Sequence, residues 1–167
     1  MTSQVIARGA LASHDARVPH KRARGPMSTH EQPTPGVTDL DALVATMPHA
    51  QALGVTLESA TADEVVGGFD WAPDRCTAGG VIHGGALMAL ADSVGAVCAF
   101  LGLPAGAGTA TTSSTTHFLR AVREGRVTAT ARPVHRGRSQ VVVRTDLTDA
   151  SGRLVATVTQ SQAVLSG

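Results

Sequence analysis

The sequence predicts an α+β fold in which a mainly antiparallel β-sheet curves around one long apolar helix. Three observations indicate it. The chain has 167 residues with 43% hydrophobic content, enough for a full core. One segment, 84–101, is small or apolar at nearly every position. The other regular segments alternate as strands do, two before that segment and four after it, with no internal repeat.

The first regular elements are a short helix and two strands. Thr38 or Asp39 is a suitable N-cap residue. Apolar spacing then predicts a helix over 39–47, ended by Pro48. The next two segments favour β-structure and are expected to pair as a hairpin: 55–59 and 64–71.

The central apolar segment predicts a helix over 84–101. A helix that is apolar all round lies either in a membrane or inside protein. Eighteen residues are at the lower limit for a span, and Asp92 would cost about 2.5 to 3.5 kcal/mol in a bilayer. Because strand sequence follows, a helix enclosed by a sheet is favoured, and no membrane partner is expected.

Four further strands are predicted after the helix. They are separated by turn signals at Glu124-Gly125 and Ser151-Gly152. Their alternating or β-branched pattern gives the ranges 109–119, 127–132, 141–148 and 153–165.

Charge is concentrated at the start of the chain. Residues 1–26 hold five Lys or Arg against one acid, whereas the formal net charge of the whole chain is only +1. We expect a disordered basic leader over 1–36 and one folded domain over 37–167. The leader is either unstructured, with Met27 an alternative start, or an arm for an anionic partner. The low net charge argues against nucleic-acid binding by the whole chain.

The two cysteines, Cys76 and Cys98, are too few for a disulfide framework and lack zinc spacing. We expect both to be reduced, the protein to be cytoplasmic, and no metal to be bound. Ser93 lacks the first glycine of a nucleophile elbow, which disfavours a Ser-His-Asp hydrolase.

Asp92 is the residue of the apolar helix that calls for an explanation. A buried carboxylate without a partner is costly. Asp92 is therefore either on an exposed stripe or hydrogen-bonded to the adjacent strand, or it is a catalytic general base or nucleophile. The sequence by itself leaves these alternatives open.

The tripeptide His83-Gly84-Gly85 stands just before the helix. A helix N-terminus carries unpaired N–H groups and partial positive charge, which suit a developing oxyanion. Gly84 and Asp92 are eight residues apart, or roughly 12 Å along a helix. They cannot contact one carbonyl from one chain. If both act on one substrate, two antiparallel helices must meet across a two-fold axis, and the active unit is a dimer.

These residues resemble a known family. Residues 80–86, followed by Leu90-Ala91-Asp92, are similar to the HGG(x)6D signature of hotdog-fold acyl-CoA thioesterases of the phenylacetate-degradation (PaaI-like) type. The resemblance extends over about residues 38–165, and further strand motifs appear in the family's order: Phe118-Leu119-Arg120, Arg136-Gly137-Arg138 and 152–156. It implies a hotdog fold and hydrolysis of an acyl-CoA to a carboxylic acid and free CoA, without cofactor, in a homodimer or a dimer of dimers.

The resemblance also implies roles for individual residues. Asp92 corresponds to the nucleophile or general base, and Gly84 N–H to the group that polarises the thioester carbonyl, with His83 and Gly85 beside it. Thr111 falls where the family often has Ser or Thr near the carboxylate. Thr77 stands where many members carry an Asn that helps bind the carbonyl or water, a departure that puts this contact in doubt.

The phosphates of CoA call for positive charge at the open end of the site. The candidates are Arg136, Gly137 and Arg138, with Arg120 next, because guanidinium binds phosphate bidentately. For each arginine, an exposed position at a strand end is the alternative explanation. A non-catalytic acyl-CoA-binding hotdog domain, acting as a ligand sensor with a basic N-terminal arm, is the second hypothesis for function. A hotdog hydratase is disfavoured because no Asp/His pair has the usual spacing.

Overall fold

The architecture is one antiparallel sheet with a helix packed against it. A computed structural model describes residues 39–166 of the chain. The strands are β1 Thr56–Ala60, β2 Val65–Asp70, β3 Gly108–Phe118, β4 Arg126–Arg136, β5 Gln140–Thr148 and β6 Leu154–Leu165. They lie in the order β1-β2-β4-β5-β6-β3, and all five neighbouring pairs are antiparallel. The predicted number and order of strands is confirmed, as is the predicted hairpin between the first two.

Within residues 39–166, three α-helices accompany the sheet: α1 Leu40–Ala45, α2 Pro48–Ala52 and α3 Gly84–Leu101. Asp39 caps α1, accepting a hydrogen bond from Ala42 N–H at 2.8 Å. The predicted helix over 39–47 is too long, and Pro48 begins α2 instead of only ending α1. Proline is favoured at the first helical position because its missing N–H would lack a partner there anyway.

The core lies between α3 and the sheet. The helix contributes Leu90, Ala91, Val94 and Cys98, all fully buried, and the sheet contributes Phe69, Val143 and Val158 among others. By length and composition α3 is apolar enough to cross a membrane, but a core helix of a folded domain passes the same test. The buried side chains of α3 pack in this core, which agrees with a helix packed on a sheet.

One stripe of α3 is open in the single chain. Gly85, Met88, Asp92 and Phe100 are exposed along it, with Met88 at 41% and Phe100 at 48%. The expectation that protein covers the helix on all sides is therefore wrong for one chain. The sheet can cover only one side of a helix, so the opposite stripe stays open until something else packs on it.

The turns between the later strands lie where expected. Gly125 and Gly152 have φ values of 73° and 79°, a region that a side chain disfavours. The strand predicted over 127–132 is longer, and its register shifts between Pro133 and His135. Proline cannot donate to the ladder, and the shift accommodates it. The predicted basic leader over 1–36 lies outside the described residues.

Candidate active site

The N-terminus of α3 carries the His83-Gly84-Gly85 segment. His83 is the N-cap residue, and its Nδ1 accepts a hydrogen bond from Gly85 N–H at 2.8 Å. The His83 side chain therefore accepts a hydrogen bond from one of the N–H groups of the first turn that have no acceptor within the helix. Gly84 N–H has no acceptor among residues 39–166. It is a donor directed out of the helix end and available to a substrate oxygen.

Gly84 lies against an aromatic ring. A Cβ atom at this position would be 3.0 Å from Cζ of Phe118, at the end of β3. Gly84, Phe118 and Arg120 line one open cavity of about 380 Å³. The absence of a side chain at Gly84 lets a group approach the backbone N–H from this cavity.

Asp92 lies two turns further along the same helix. Its Oδ1 accepts a hydrogen bond from Thr111 Oγ1 on β3 at 2.8 Å. Gln160 Nε2 on β6 is 3.3 Å from the same oxygen. Asp92 is exposed within one chain, because it occupies the open stripe of α3. The alternatives of an exposed stripe and of a bond to the adjacent strand are both found, and neither excludes a catalytic role.

Thr77 and Thr111 occupy different parts of the molecule. Thr111 contacts the carboxylate, as the resemblance implies. Thr77 is exposed in the loop before His83, where its backbone N–H donates to Val81 O at 2.8 Å. The structure gives the two threonines no common contact within the described residues.

The three candidate arginines lie at opposite ends of α3. Arg120 lines the cavity at Gly84, and its Nη1 donates to Leu154 O at 2.6 Å. The Arg136 guanidinium lies against Gly102 at the C-terminal end of the helix and donates to Cys98 O at 3.5 Å and to Ala62 O.

Gly137 and Arg138 lie in the tight turn between β4 and β5. Gly137 N–H donates to Gln140 O at 2.8 Å and closes the turn. Arg138 is exposed and lines an open cavity with the loop 104–107. Arg138 has no hydrogen-bond or ion-pair partner among residues 39–166, which distinguishes it from Arg136.

Two residues at the site escaped the sequence analysis. Gln160 and Gln162 are buried at 1% and 0% exposure on the face of β6 that packs against α3. The signal was present: the alternation of β6 places both amides on the same face as Val158 and Val164. A polar residue at a core position of a strand requires hydrogen-bond partners.

Metal ligation finds no support in the described part of the chain. No group of three or more His, Cys, Asp or Glu in residues 39–166 is placed to hold a metal ion. The expectation of a reaction without metal or cofactor stays a prediction.

Comparisons with known proteins show which family this chain is similar to. A family model described as the thioesterase superfamily matches residues 79–156. The Mycobacterium tuberculosis protein named "Putative esterase Rv1847" is 33% identical over 117 residues, covering 68% of this chain and 84% of that protein. The 1,4-dihydroxy-2-naphthoyl-CoA hydrolase of Escherichia coli is 31% identical over 86 residues, covering 52% of this chain and 63% of that protein.

A solved structure extends the likeness to the fold. A mutant of thioesterase PA1618 from Pseudomonas aeruginosa superposes with a TM-score of 0.73 and 26% identity, covering 77% of this chain and 95% of that chain. This likeness confirms the hotdog fold expected from the sequence. The chain belongs to the thioesterase superfamily, and thioester hydrolysis is the general chemistry that this membership supports.

Proposed function

We propose that this protein is an acyl-CoA thioesterase of the phenylacetate-degradation (PaaI-like) type, which hydrolyses an acyl-CoA to a carboxylic acid and free CoA. One observation carries the proposal. A single helix presents, at Gly84, an N–H without an acceptor in residues 39–166 and, two turns later, an exposed carboxylate at Asp92 that accepts a hydrogen bond from Thr111. Acyl transfer needs such a pair: a donor for the carbonyl oxygen and a group that delivers the nucleophile.

The reaction balances with these two groups and water. Gly84 N–H donates to the thioester oxygen as it gains negative charge, aided by the partial positive charge of about +0.5 at the helix N-terminus. Either Asp92 takes a proton from water, whose oxygen bonds to the carbonyl carbon, or the carboxylate attacks directly and water hydrolyses the anhydride. In both cases the C–S bond breaks and the thiolate of CoA receives a proton.

The spacing on α3 favours a site shared between two chains. Gly84 and Asp92 are roughly 12 Å apart along the helix, too far to contact one carbonyl. Two antiparallel helices related by a two-fold axis place the carboxylate of one chain beside the N–H of the other.

The edge of the sheet supports this dimer. β3 is the last strand of the sheet, and within the described part of one chain it pairs with β6 alone. Its 11 residues contain no Lys, Arg, Asp or Glu. Its last residue, Phe118, and the next residue in the chain, Leu119, are 51% and 50% exposed. An uncharged edge of this length is a template for pairing with another strand. We propose that a second copy of the chain covers β3 and the open stripe of α3.

The substrate class rests on two kinds of support. The E. coli relative is named as a hydrolase of a CoA thioester, and Arg138 offers a guanidinium without a protein partner in residues 39–166. A phosphate-bearing substrate suits that group. The free thiols of Cys76 and Cys98 are compatible with the cytoplasmic location that we propose.

The decisive experiment is thiol release from a panel of aryl, medium-chain and long-chain acyl-CoA esters, with Asp92→Asn as the test variant. The substitution keeps the shape and removes the charge, so we expect kcat to fall at least about a hundredfold while CoA binding and folding persist. Near-normal turnover in Asp92→Asn would contradict the mechanism. Binding of acyl-CoA without turnover in the unmodified protein would favour the non-catalytic sensor.

A single-turnover reaction in ¹⁸O-labelled water separates the two routes. Direct attack followed by hydrolysis of the anhydride at Cγ of Asp92 leaves ¹⁸O in the Asp92 carboxylate, detected by mass spectrometry of the peptide, and this label identifies the direct route. Attack by water on the thioester places ¹⁸O in the carboxylic acid product alone, as does hydrolysis of the anhydride at its acyl carbon.

A further inference from the structure

A chain of hydrogen bonds leads from the core to the Asp92 carboxylate. Thr109 Oγ1 lies 3.1 Å from Gln162 Oε1, sharing its proton with a backbone carbonyl of β6. Gln162 Nε2 donates to Thr111 Oγ1 at 2.8 Å. Thr111 in turn donates to Asp92 Oδ1 at 2.8 Å. Gln160 Nε2 reaches the same carboxylate oxygen directly at 3.3 Å.

The amide of Gln162 fixes the direction of this chain. A threonine hydroxyl has one proton and two acceptor sites. Because Gln162 N–H occupies an acceptor site of Thr111, the hydroxyl proton is left for Asp92. Polarisation along such a chain strengthens each bond. A carboxylate at position 162 would instead accept that proton and reverse the chain.

Both glutamines are costly where they lie. A buried amide is unfavourable unless it is hydrogen-bonded. Gln160 Oε1 has no partner among residues 39–166, and the amide lies on Gly95, where a Cβ atom would be 2.5 Å away. An apolar side chain would fill either position without this cost. Their contacts with the Asp92 carboxylate and with Thr111 supply a reason for them.

A β-bulge aligns the strand with the network. The register between β3 and β6 shifts between Thr111 and Ser113, so Thr112 is one extra residue. Thr111 pairs with Gln162 on one side of the bulge, and both side chains face α3. Bulges re-aim side chains in this way beside functional sites.

We infer that Gln160 and Gln162 are positioning residues that hold Oδ1 of Asp92 and leave Oδ2 to act on water or on the thioester carbon. No residue in the range 39–166 donates a hydrogen bond to Oδ2, whereas Oδ1 accepts hydrogen bonds from Thr111 Oγ1 and Gln160 Nε2. The two oxygens of one carboxylate thus have separate tasks. The inference rests on the proposed thioesterase function.

The kinetic test compares Gln162→Met, Thr111→Val and the double variant. We expect each single variant to lower kcat roughly tenfold with KM unchanged, since only the carboxylate loses its orientation. The double variant falls no further than Thr111→Val, because Gln162 acts through the Thr111 hydroxyl. Thr111→Ser keeps the hydroxyl and retains activity. Multiplied losses in the double variant, or a change in KM alone, would overturn the inference.

Thr116→Val is the matched control. This threonine lies on the same strand, and its buried hydroxyl makes no hydrogen bond within the described residues. We expect unchanged kcat in the control, and an equal loss there would assign the effect to packing. Gln160→Met is the second variant should Gln162→Met fail to fold, with the same expected loss in kcat alone.

Side-chain amide NMR separates failure of the network from failure of the proposed function. The Gln162 resonances are expected to move in Thr111→Val, those of Gln160 in Asp92→Asn, and neither in Thr116→Val. If no thioester is hydrolysed but these shifts occur, the proposed function fails and the network stands. If hydrolysis is normal and no shift occurs, the inference is overturned and the thioesterase stands.

Discussion

At the scale of single residues, the two neighbouring arginines Arg136 and Arg138 illustrate how similar sequence positions receive different tasks. The guanidinium of Arg136 donates to Cys98 O near the C-terminal end of α3, where a cation is favoured, and to Ala62 O between β1 and β2. Arg138, two residues later, is exposed and without a partner in residues 39–166. Of these two arginines, Arg138 is therefore the one whose guanidinium is available to a phosphate.

We therefore expect the two alanine substitutions to affect different quantities, substrate affinity for Arg138 and stability for Arg136. Arg138→Ala is expected to raise KM for acyl-CoA about tenfold with kcat little changed, whereas Arg136→Ala lowers stability by about 1 kcal/mol with KM unchanged. Steady-state kinetics and urea unfolding of both variants check this. An unaltered KM in Arg138→Ala would remove that residue from the phosphate site.

Cys98 connects burial of one side chain with stability at high pH. The thiol is fully buried on α3, and burial raises its pKa to about 11 from a usual 9.0; the Arg136 guanidinium lowers it somewhat, while Asp63 and Glu64 raise it. A raised folded-state pKa means that stability is complete below pH 9 and is lost as the pH rises toward 11.

Unfolding measured from pH 8 to 11 tests this dependence. The loss for two pKa units is about 3 kcal/mol. The chain has no Tyr and a single lysine, Lys21, so few other groups titrate in this range. Cys98→Ala is expected to flatten the curve, whereas Cys76→Ala leaves its slope. A curve for Cys98→Ala as steep as that of the unmodified protein would refute the assignment.

At the scale of elements, Gly95 in the middle of α3 leaves room for the side chain of Gln160 on β6. Glycine within a helix costs about 1 kcal/mol relative to alanine. Gly95 is buried under the Gln160 amide, and a Cβ atom would lie 2.5–3.0 Å from three of its atoms. The lower helix propensity of Gly95 is the cost of packing the Gln160 amide of β6 directly against α3.

Gly95→Ala is therefore expected to destabilise the fold by about 1 to 3 kcal/mol, against the usual effect of this substitution in a helix. In the Gln160→Ala background the same change has room and is expected to stabilise. Chemical unfolding of the four proteins measures this reversal of sign. Stabilisation by Gly95→Ala in the unmodified protein would contradict the close packing.

At the scale of the whole molecule, the described chain keeps the two groups of the proposed site apart. The N–H of Gly84 and the carboxylate of Asp92 lie on one helix, two turns apart, on or beside the open stripe and next to the unpaired edge of β3. A second copy packed on this surface completes the arrangement that we propose.

Mixing two inactive variants tests the shared site. Chains with Asp92→Asn and chains with Gly84→Val are each expected to be inactive. Random mixing yields half heterodimers, each with one intact site, so activity returns to about a quarter of the unmodified level. Size-exclusion chromatography with light scattering confirms the dimers. Absence of rescue in verified heterodimers would contradict a site shared between Asp92 of one chain and Gly84 of the other.

The sequence by itself determined much of this protein because its signals are local. Strand alternation, the Gly125 and Gly152 turns and the apolar run over 84–101 depend on neighbours in the chain, and all are found in the structure. The HGG(x)6D spacing likewise indicated a thioesterase, and similarity to known proteins then showed membership of the thioesterase superfamily. The second short helix at Pro48 was missed because one proline can end a helix and begin the next.

Only the tertiary structure decided how the candidate site is assembled. Gln162 lies 51 residues from Thr111, and Gln160 lies 68 residues from Asp92, so no local pattern connects them. The order of strands places β6 beside β3 and under α3, which brings the four side chains together. Exposure of Asp92 also depends on which stripe the sheet covers. Hydrogen bonds and burial are properties of pairs distant in sequence, and these form only when the sheet is complete.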